Sequence, residues 1–244
     1  MRWGNGCCGR RIGVVNNRAM DDIVRQAIAK WPHVPDCYGW LGLDARGNWY
    51  MRDDRTHVLG PFPTLDCPSV AGARGSLLKH DKLIEFIHRN YESDAAGRWF
   101  FQNGPQRVFV ELEATPWIWR LHAGDQGAGE VRTHTGRPAQ VRSCLLDEHG
   151  RLYLDTDLGF GLVHTQDVAQ AAEMLEAERW ALQDVRTADL ATCFGYVQRP
   201  QAAHQTPDCC DHINSIDRPV DAGSGAEIHG NSRPRGPRSR FWPG

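Results

Sequence analysis

The sequence predicts an α+β fold: a mostly antiparallel, twisted sheet built from hairpins, with about three packed helices. Three observations predict it. Strand-like runs come in adjacent pairs joined by tight-turn residues, as in CYGWLGL-DARG-NWYMR and RSCLL-DEHG-RLYLDTD, so their pairing is local and antiparallel. Helical periodicity is confined to short segments between those pairs. The regular strand–helix alternation of a doubly wound parallel sheet is not evident.

The elements follow in order. Residues 1–11 are rich in Gly and Arg and form a loose lead-in, with order beginning at Ile12. Asn16 or Asn17 can cap a first helix, on which Met20, Ile23, Val24, Ala27, Ile28 and Trp31 recur at helical spacing, and Pro32 ends it. In the hairpin that follows, Asp44 and Gly47 suit the first and last positions of a type I turn. Residues 55–76 hold three prolines and three glycines and read as a long loop. A second helix is expected from about His80 to Tyr91, burying Leu83, Phe86, Ile87 and Tyr91.

Arg98–Arg120 comes next and carries six of the chain's aromatic residues: Trp99, Phe100, Phe101, Phe109, Trp117 and Trp119. Asn103-Gly104 between two strand-like runs is a hairpin signal, and Pro116 sets off the following run WIWRL. In VFVELE, Val108, Val110 and Leu112 alternate with Phe109, Glu111 and Glu113, so both faces are partly apolar. Such a strand belongs at the centre of a sheet covered on both sides. A Gly-rich loop occupies 122–129, and the DEHG hairpin follows. That hairpin echoes the first one: Leu43, Asp44, Gly47, Tyr50 and Asp54 match Leu146, Asp147, Gly150, Tyr153 and Asp157. Because Asp-x-x-Gly is a general turn solution, convergence explains the echo better than duplication.

A third helix starts near Thr165, with Val168, Ala171, Ala172 and Leu175 on its buried face, and CFGYVQ resembles a strand before Pro200. From Gln201 Pro, Gly, Ser, Asp and Arg dominate, the composition of a disordered tail. The expected organisation is one α+β domain over 12–200, flanked by the lead-in and by a tail over 201–244.

Composition narrows the classes of function. Apolar residues make up 41% and charged residues 24% of the chain, as in ordinary globular proteins. A net charge of −2 supplies no whole-protein field for nucleic acid or anionic lipid. No apolar run reaches the roughly 20 residues that span a bilayer, and MRWGNGCCGRR is followed by no apolar segment of a secretory signal. The expected location is the cytoplasm. The eight cysteines form no C-x-x-C pair and are scattered, which favours reduced thiols; Cys37 and Cys144 fall in strand-like contexts where a thiol packs as a small apolar group.

Several residues invite chemistry. The strand end RLYLDTDLG places Asp155 and Asp157 two residues apart, similar to the haloacid-dehalogenase-type phosphotransferase motif, in which one carboxylate is the nucleophile and the next an acid/base around Mg²⁺. Gly159 stands where that motif has Thr or Val, and Gln166 stands where a Ca²⁺ loop opened by Asp155 needs Glu. His164, in GLVHTQD, and His134, in VRTHT, complete a candidate set with Asp155 and Asp157. In the tail, His204, Cys209, Cys210 and His212 could ligate a soft or borderline metal, although adjacent cysteines suit one tetrahedral ion poorly. The aromatic hairpin, beside Arg98, Arg107 and Arg120, could stack on bases if its rings were exposed. No P-loop, G-x-G-x-x-G after a strand, G-x-S-x-G or H-E-x-x-H is present, and no particular cofactor is indicated.

The phrases GRWFFQNGPQRVFVELEATPWIWRL, RSCLLDEHGRLYLDTDLGFGLVHTQDV and RIGVVNNRAMDDIVRQAIAKWP together resemble an uncharacterised bacterial family of proteins of unknown function, over about residues 11–200. The resemblance implies an intracellular bacterial protein and carries over no activity, cofactor or catalytic residue. The absent catalytic signatures and the strong packing pattern favour a non-enzymatic cytoplasmic binding or accessory protein. A metal-dependent hydrolase or phosphotransferase using Asp155 and Asp157 is one alternative, and a nucleic-acid binder using the aromatic hairpin another.

Overall fold

A computed structural model describes residues 22–122 and 130–202. The expected lead-in, the cap of the first helix, most of the Gly-rich loop and the tail lie outside them. The chain forms two mixed sheets rather than one antiparallel sheet. The first holds β1 (Cys37–Leu43), β2 (Trp49–Met51), β3 (Ser76–Leu77), β4 (Tyr91–Ser93), β5 (Trp99–Asn103) and β6 (Gln106–Leu112), in the order β3-β2-β1-β6-β5-β4. The second holds β7 (Trp117–His122), β8 (Glu130–Thr133), β9 (Pro138–Ala139), β10 (Val141–Leu146), β11 (Leu152–Thr156), β12 (Gly159–Val163) and β13 (Leu182–Asp184), in the order β13-β10-β11-β12-β7-β8-β9. The described helices are α1 (Asp22–Lys30), α2 (Asp54–Val58), α3 (Asp81–Arg89), α4 (Val168–Glu176) and α5 (Thr187–Phe194), with a 3₁₀ turn at Thr165–Asp167. The α+β class holds, with more helices than expected and parallel pairs at the sheet centres.

Those parallel pairs show a repeat. Counted from its own first strand and without β13, each sheet has the order 3-2-1-6-5-4, its first strand lying parallel to its last: β1 with β6, and β7 with β12. The Asp44 turn joins the first and second strands of one sheet, whereas the Asp147 turn joins the fourth and fifth of the other. The two turns therefore occupy non-equivalent places in the two sheets. The topological equivalent of Asp147 is Asp94, in DAAGR between β4 and β5, and the two turns match bond for bond. Asp94 Oδ1 accepts from the Ala96 and Arg98 amides and its Oδ2 from Arg98 Nε. Asp147 accepts likewise from the His149 and Arg151 amides and from Arg151 Nε. Both turns begin D-x-x-G-R, a correspondence readable in the sequence once β4 is recognised.

Local signals place α3 well, since His80 caps it by accepting from the Leu83 amide, but the helix stops at Arg89 and Tyr91 opens β4. His164 rather than Thr165 caps the 3₁₀ turn before α4, and Ala171 and Met174 are its buried residues. The 55–76 connection contains α2 and β3. CFGYVQ is not a strand: Cys193 and Phe194 end α5, and Gly195 closes that helix in the left-handed conformation. A strand of six residues cannot form there because α5 already uses the first two.

All six aromatics of Arg98–Arg120 are buried, none more than 6% exposed. Trp99 and Phe101 face the core shared by both sheets. Phe100 and Phe109 face the other side, beneath Tyr38, which stacks on Phe109 at 4.6 Å. Arg98 and Arg107 lie over the Phe109 ring and are paired with Asp94 and Asp36. The 52–75 connection covers the rest of that side. Arg52 is buried against Glu111 and also reaches the Gly60 and Ala73 carbonyls. Both faces of this sheet are therefore covered, as the alternation predicts.

Candidate functional site

The polar and aromatic groups that sequence distance keeps apart meet at the seam between the two sheets. Tyr91 and Trp99 from the first sheet pack on Trp117 of the second, Trp117 meeting Trp99 edge-on at 4.9 Å and Tyr91 at 5.4 Å, and Trp49 packs behind them on Tyr91 at 5.2 Å. The Tyr91 hydroxyl donates to the Pro116 carbonyl at 3.1 Å, and the Trp117 and Trp119 indoles donate to Leu158 and Leu154 carbonyls. These rings are held by hydrogen bonds as well as by packing.

Two histidines enter this seam. His134, in the turn after β8, lies with its ring 5.7–5.9 Å from those of Trp49, His88, Tyr91 and Trp117. Its Nδ1 accepts from the Ile118 amide at 3.3 Å, which places the proton of the neutral ring on Nε2. Nε2 is buried and has no hydrogen-bond partner among the described residues. His88, from the last turn of α3, accepts from the Trp49 indole at 3.0 Å through Nε2. Burial lowers His88 from the ordinary histidine value to about 4. Burial, and then the neighbouring His88, hold His134 well below the usual range.

The β1–β2 turn closes the seam from above. Gly47 packs on His134 so closely that an added Cβ would lie 2.6 Å from His134 Cβ, and its φ of +83° independently favours glycine. Asp44 and Arg46 of the same turn act on His164. His164 is held below its usual value first by burial and then by the Arg120 charge, with Asp167 and Asp44 opposing. Its backbone amide donates to Trp119 O and its Nδ1 accepts from the Gln166 amide at 3.1 Å. His134 and His164 thus meet adjacent residues of β7, one beside β8 and the other after β12. Asp167 accepts from Arg120 Nε at 2.6 Å and from the Leu121 amide at 3.1 Å, which fastens the turn before α4 to the same strand.

The carboxylates nominated with these histidines lie elsewhere. Asp155 is buried on β11 opposite Phe160. His164 is four residues beyond Phe160, which is roughly 13 Å along a strand. β12 and β7 stand between β11 and β8, so His134 lies about 14 Å away across the ladder. Asp157 is exposed, and its Oδ1 accepts from the Gln140 amide at 2.7 Å, tying the β9–β10 connection to the β11–β12 turn. The set divides into a histidine pair flanking β7 and two carboxylates at the far end of β11. Among the described residues no three of His, Cys, Asp and Glu are grouped to hold a metal ion. His204, Cys209, Cys210 and His212 lie outside the described residues.

Sequence reasoning missed His88, although it sits one residue after the buried Ile87 and four after Ile84, close to the helix's apolar stripe. It also missed Arg52 and Glu111, for which no local signal exists. The base-stacking alternative fails on geometry, because rings buried between two sheets, or beneath paired arginines, offer no face to a base.

Comparison with known proteins fits a fold without an assigned chemistry. No curated protein matches the chain. A crystal structure of a DUF1285 family protein from Silicibacter pomeroyi DSS-3 is similar, with a TM-score of 0.41 and 10% identity, over 70% of this chain and 85% of that one. A family model labelled DUF2944, with the description "Protein of unknown function (DUF2946)", matches residues 20–202. The chain belongs to that family of proteins of unknown function.

Proposed function

We propose that this protein is a non-enzymatic cytoplasmic binding or accessory protein that contacts an apolar partner surface. The observation that carries this reading is a set of exposed apolar side chains on the connection between β2 and β3 and on the adjoining β1. On the connection Val58 is 87% and Val70 66% exposed and Leu59 is also open, and on β1 so is Trp40. These residues are neighbours: the Trp40 ring meets His57 at 5.6 Å, and Leu59 packs against Gly72 of the turn that begins at Val70. The underlying backbone is well anchored. Asp53 caps α2 through the Thr56 amide and hydroxyl, and His57 bonds Gly39 O at 2.7 Å. A firmly held connection that leaves large apolar side chains in water fits a surface kept for contact. The fixed structural bonds of Asp157, His164 and Asp167 support the same reading, since those groups serve turns and caps.

The test is a selection of displayed peptides against the folded protein, repeated with the V58D/V70D double variant. Peptides with apolar anchors that bind the first and not the second, at unchanged melting temperature, support the proposal. A thermal shift with Mg²⁺, nucleotides or sugar phosphates that disappears in Asp155→Asn would overturn it in favour of the enzyme.

A further inference from the structure

We propose that His88 and His134, whose rings face each other at the seam between the two sheets, form an acid-operated pair of ties, one in each sheet. The reason is which nitrogen each ring has available. A neutral imidazole has one basic nitrogen, and both histidines commit theirs to a structural donor: His134 Nδ1 to the Ile118 amide of β7, and His88 Nε2 to the Trp49 indole of β2. A proton arriving on either ring must land on that nitrogen. The ring's new N–H then faces the N–H of Ile118 or Trp49, and an attraction becomes a clash of donors. Each protonation releases one tie, His134 from the second sheet and α3 from the first.

The surroundings offer the imidazolium ions little relief. On its own turn His134 is flanked by Thr133, whose hydroxyl meets Thr135, and Arg137 lies over the Trp117 ring at 5.7 Å, adding a positive charge. From β4 comes Tyr91, whose hydroxyl is bound to Pro116 O, and from α3 comes His88, a second group of the same sign. The β1–β2 turn brings Arg46 and Asp44; the Asp44 carboxylate already accepts from the Arg46 and Asn48 amides and from Asn48 Nδ2, and faces Arg74 at 3.6 Å. His88 has the last turn of α3 in its favour, because carbonyl dipoles there attract a cation, yet burial outweighs it. Acid therefore acts on two ties that share one aromatic box, one holding the β8–β9 turn to β7 and the other holding α3 to β2.

The experiment follows the Trp49 indole and Ile118 amide resonances of the full chain by nitrogen–proton correlation NMR from pH 7.5 to 4, with far-ultraviolet circular dichroism on the same samples. The Trp49 indole should shift as the pH nears 4 while the dichroism signal is retained, and the Ile118 amide should follow only at lower pH, because the first positive charge disfavours the second. His88→Gln and His134→Asn keep an acceptor oxygen near the position of the lost nitrogen and cannot be protonated, so in each the corresponding donor should stay in place through pH 4. Should H134N fail to fold, H88Q decides the matter alone, because the Trp49 indole reports its own histidine. Three results overturn the proposal: a Trp49 indole unmoved at pH 4 in the parent protein, an H88Q variant whose indole titrates like the parent's, or loss of dichroism in step with the indole shift.

Discussion

Arg52 and Glu111 are separated by 59 residues and meet in the interior of the cover over the first sheet. The Arg52 side chain is 3% exposed and that of Glu111 11%. Arg52 also donates through Nε to Ala73 O at 3.0 Å and through its other terminal nitrogen to Gly60 O, so one guanidinium fastens both limbs of the 52–75 connection to β6. Replacing Arg52 by Leu leaves a buried carboxylate without its cation and two carbonyls without their donor. Loss of one member of a buried ion pair costs about 3–5 kcal/mol. That is a large part of the 5–15 kcal/mol by which a domain of this kind is typically stable. The pair as a whole is worth much less than this, because both charges were desolvated to form it. The double variant R52L/E111L should therefore lose less than the sum of the single losses, by about 1–3 kcal/mol. Guanidinium chloride unfolding at pH 7 on the four members of the cycle measures both quantities. Single losses under about 1 kcal/mol, or strictly additive ones, would refute the account of Arg52 as the clamp of this connection.

Other outcomes follow from the same geometry. Trp117→Ala removes the ring that joins the two sheets and should cost about 3–5 kcal/mol in a denaturant titration. Asp147→Ala should cost about 2–3 kcal/mol and Asp94→Ala about 1 kcal/mol, because both lose the same turn bonds while Asp147 alone also holds the Tyr153 and Thr187 hydroxyls. The sign of the pH dependence is set by His88 and His134, both held below the usual histidine range. The folded value of His88, about 4, lies below its unfolded value, so its contribution is intact above pH 6.5 and lost as pH falls toward 4, and that of His134 is lost in the same direction. The His88 share of the loss amounts to about 3 kcal/mol at pH 4; unfolding free energies at pH 7, 5.5 and 4 should show it, and H88Q should lessen the slope without removing it. Burial raises Glu92, which opposes this trend in the same range. Burial alone would also raise Asp147, but the hydrogen bonds from Arg151 hold it low, so its own contribution disappears only below the ordinary Asp range. Val58→Asp, on the open patch, should change stability by less than about 0.5 kcal/mol in a thermal melt.

What the sequence determined by itself was local. The Asp44 and Asp147 turns, the α3 segment, the Asn103-Gly104 hairpin and the two-faced burial of Arg98–Arg120 each depend on residues within one element, where dihedral preference, capping and alternation act directly. The family was legible as well, in the long phrases around those elements. Tertiary structure decided everything that depends on distant partners. The parallel pairs β1–β6 and β7–β12, and with them the division into two sheets of one topology, arise from long-range pairing that no turn residue encodes. Arg52 finds Glu111, and His88 meets His134, only because burial in a shared core brings remote segments together. The same pairing keeps Asp155 and Asp157 away from His134 and His164: two-residue spacing in a strand sets a face, whereas register and strand order set what that face meets.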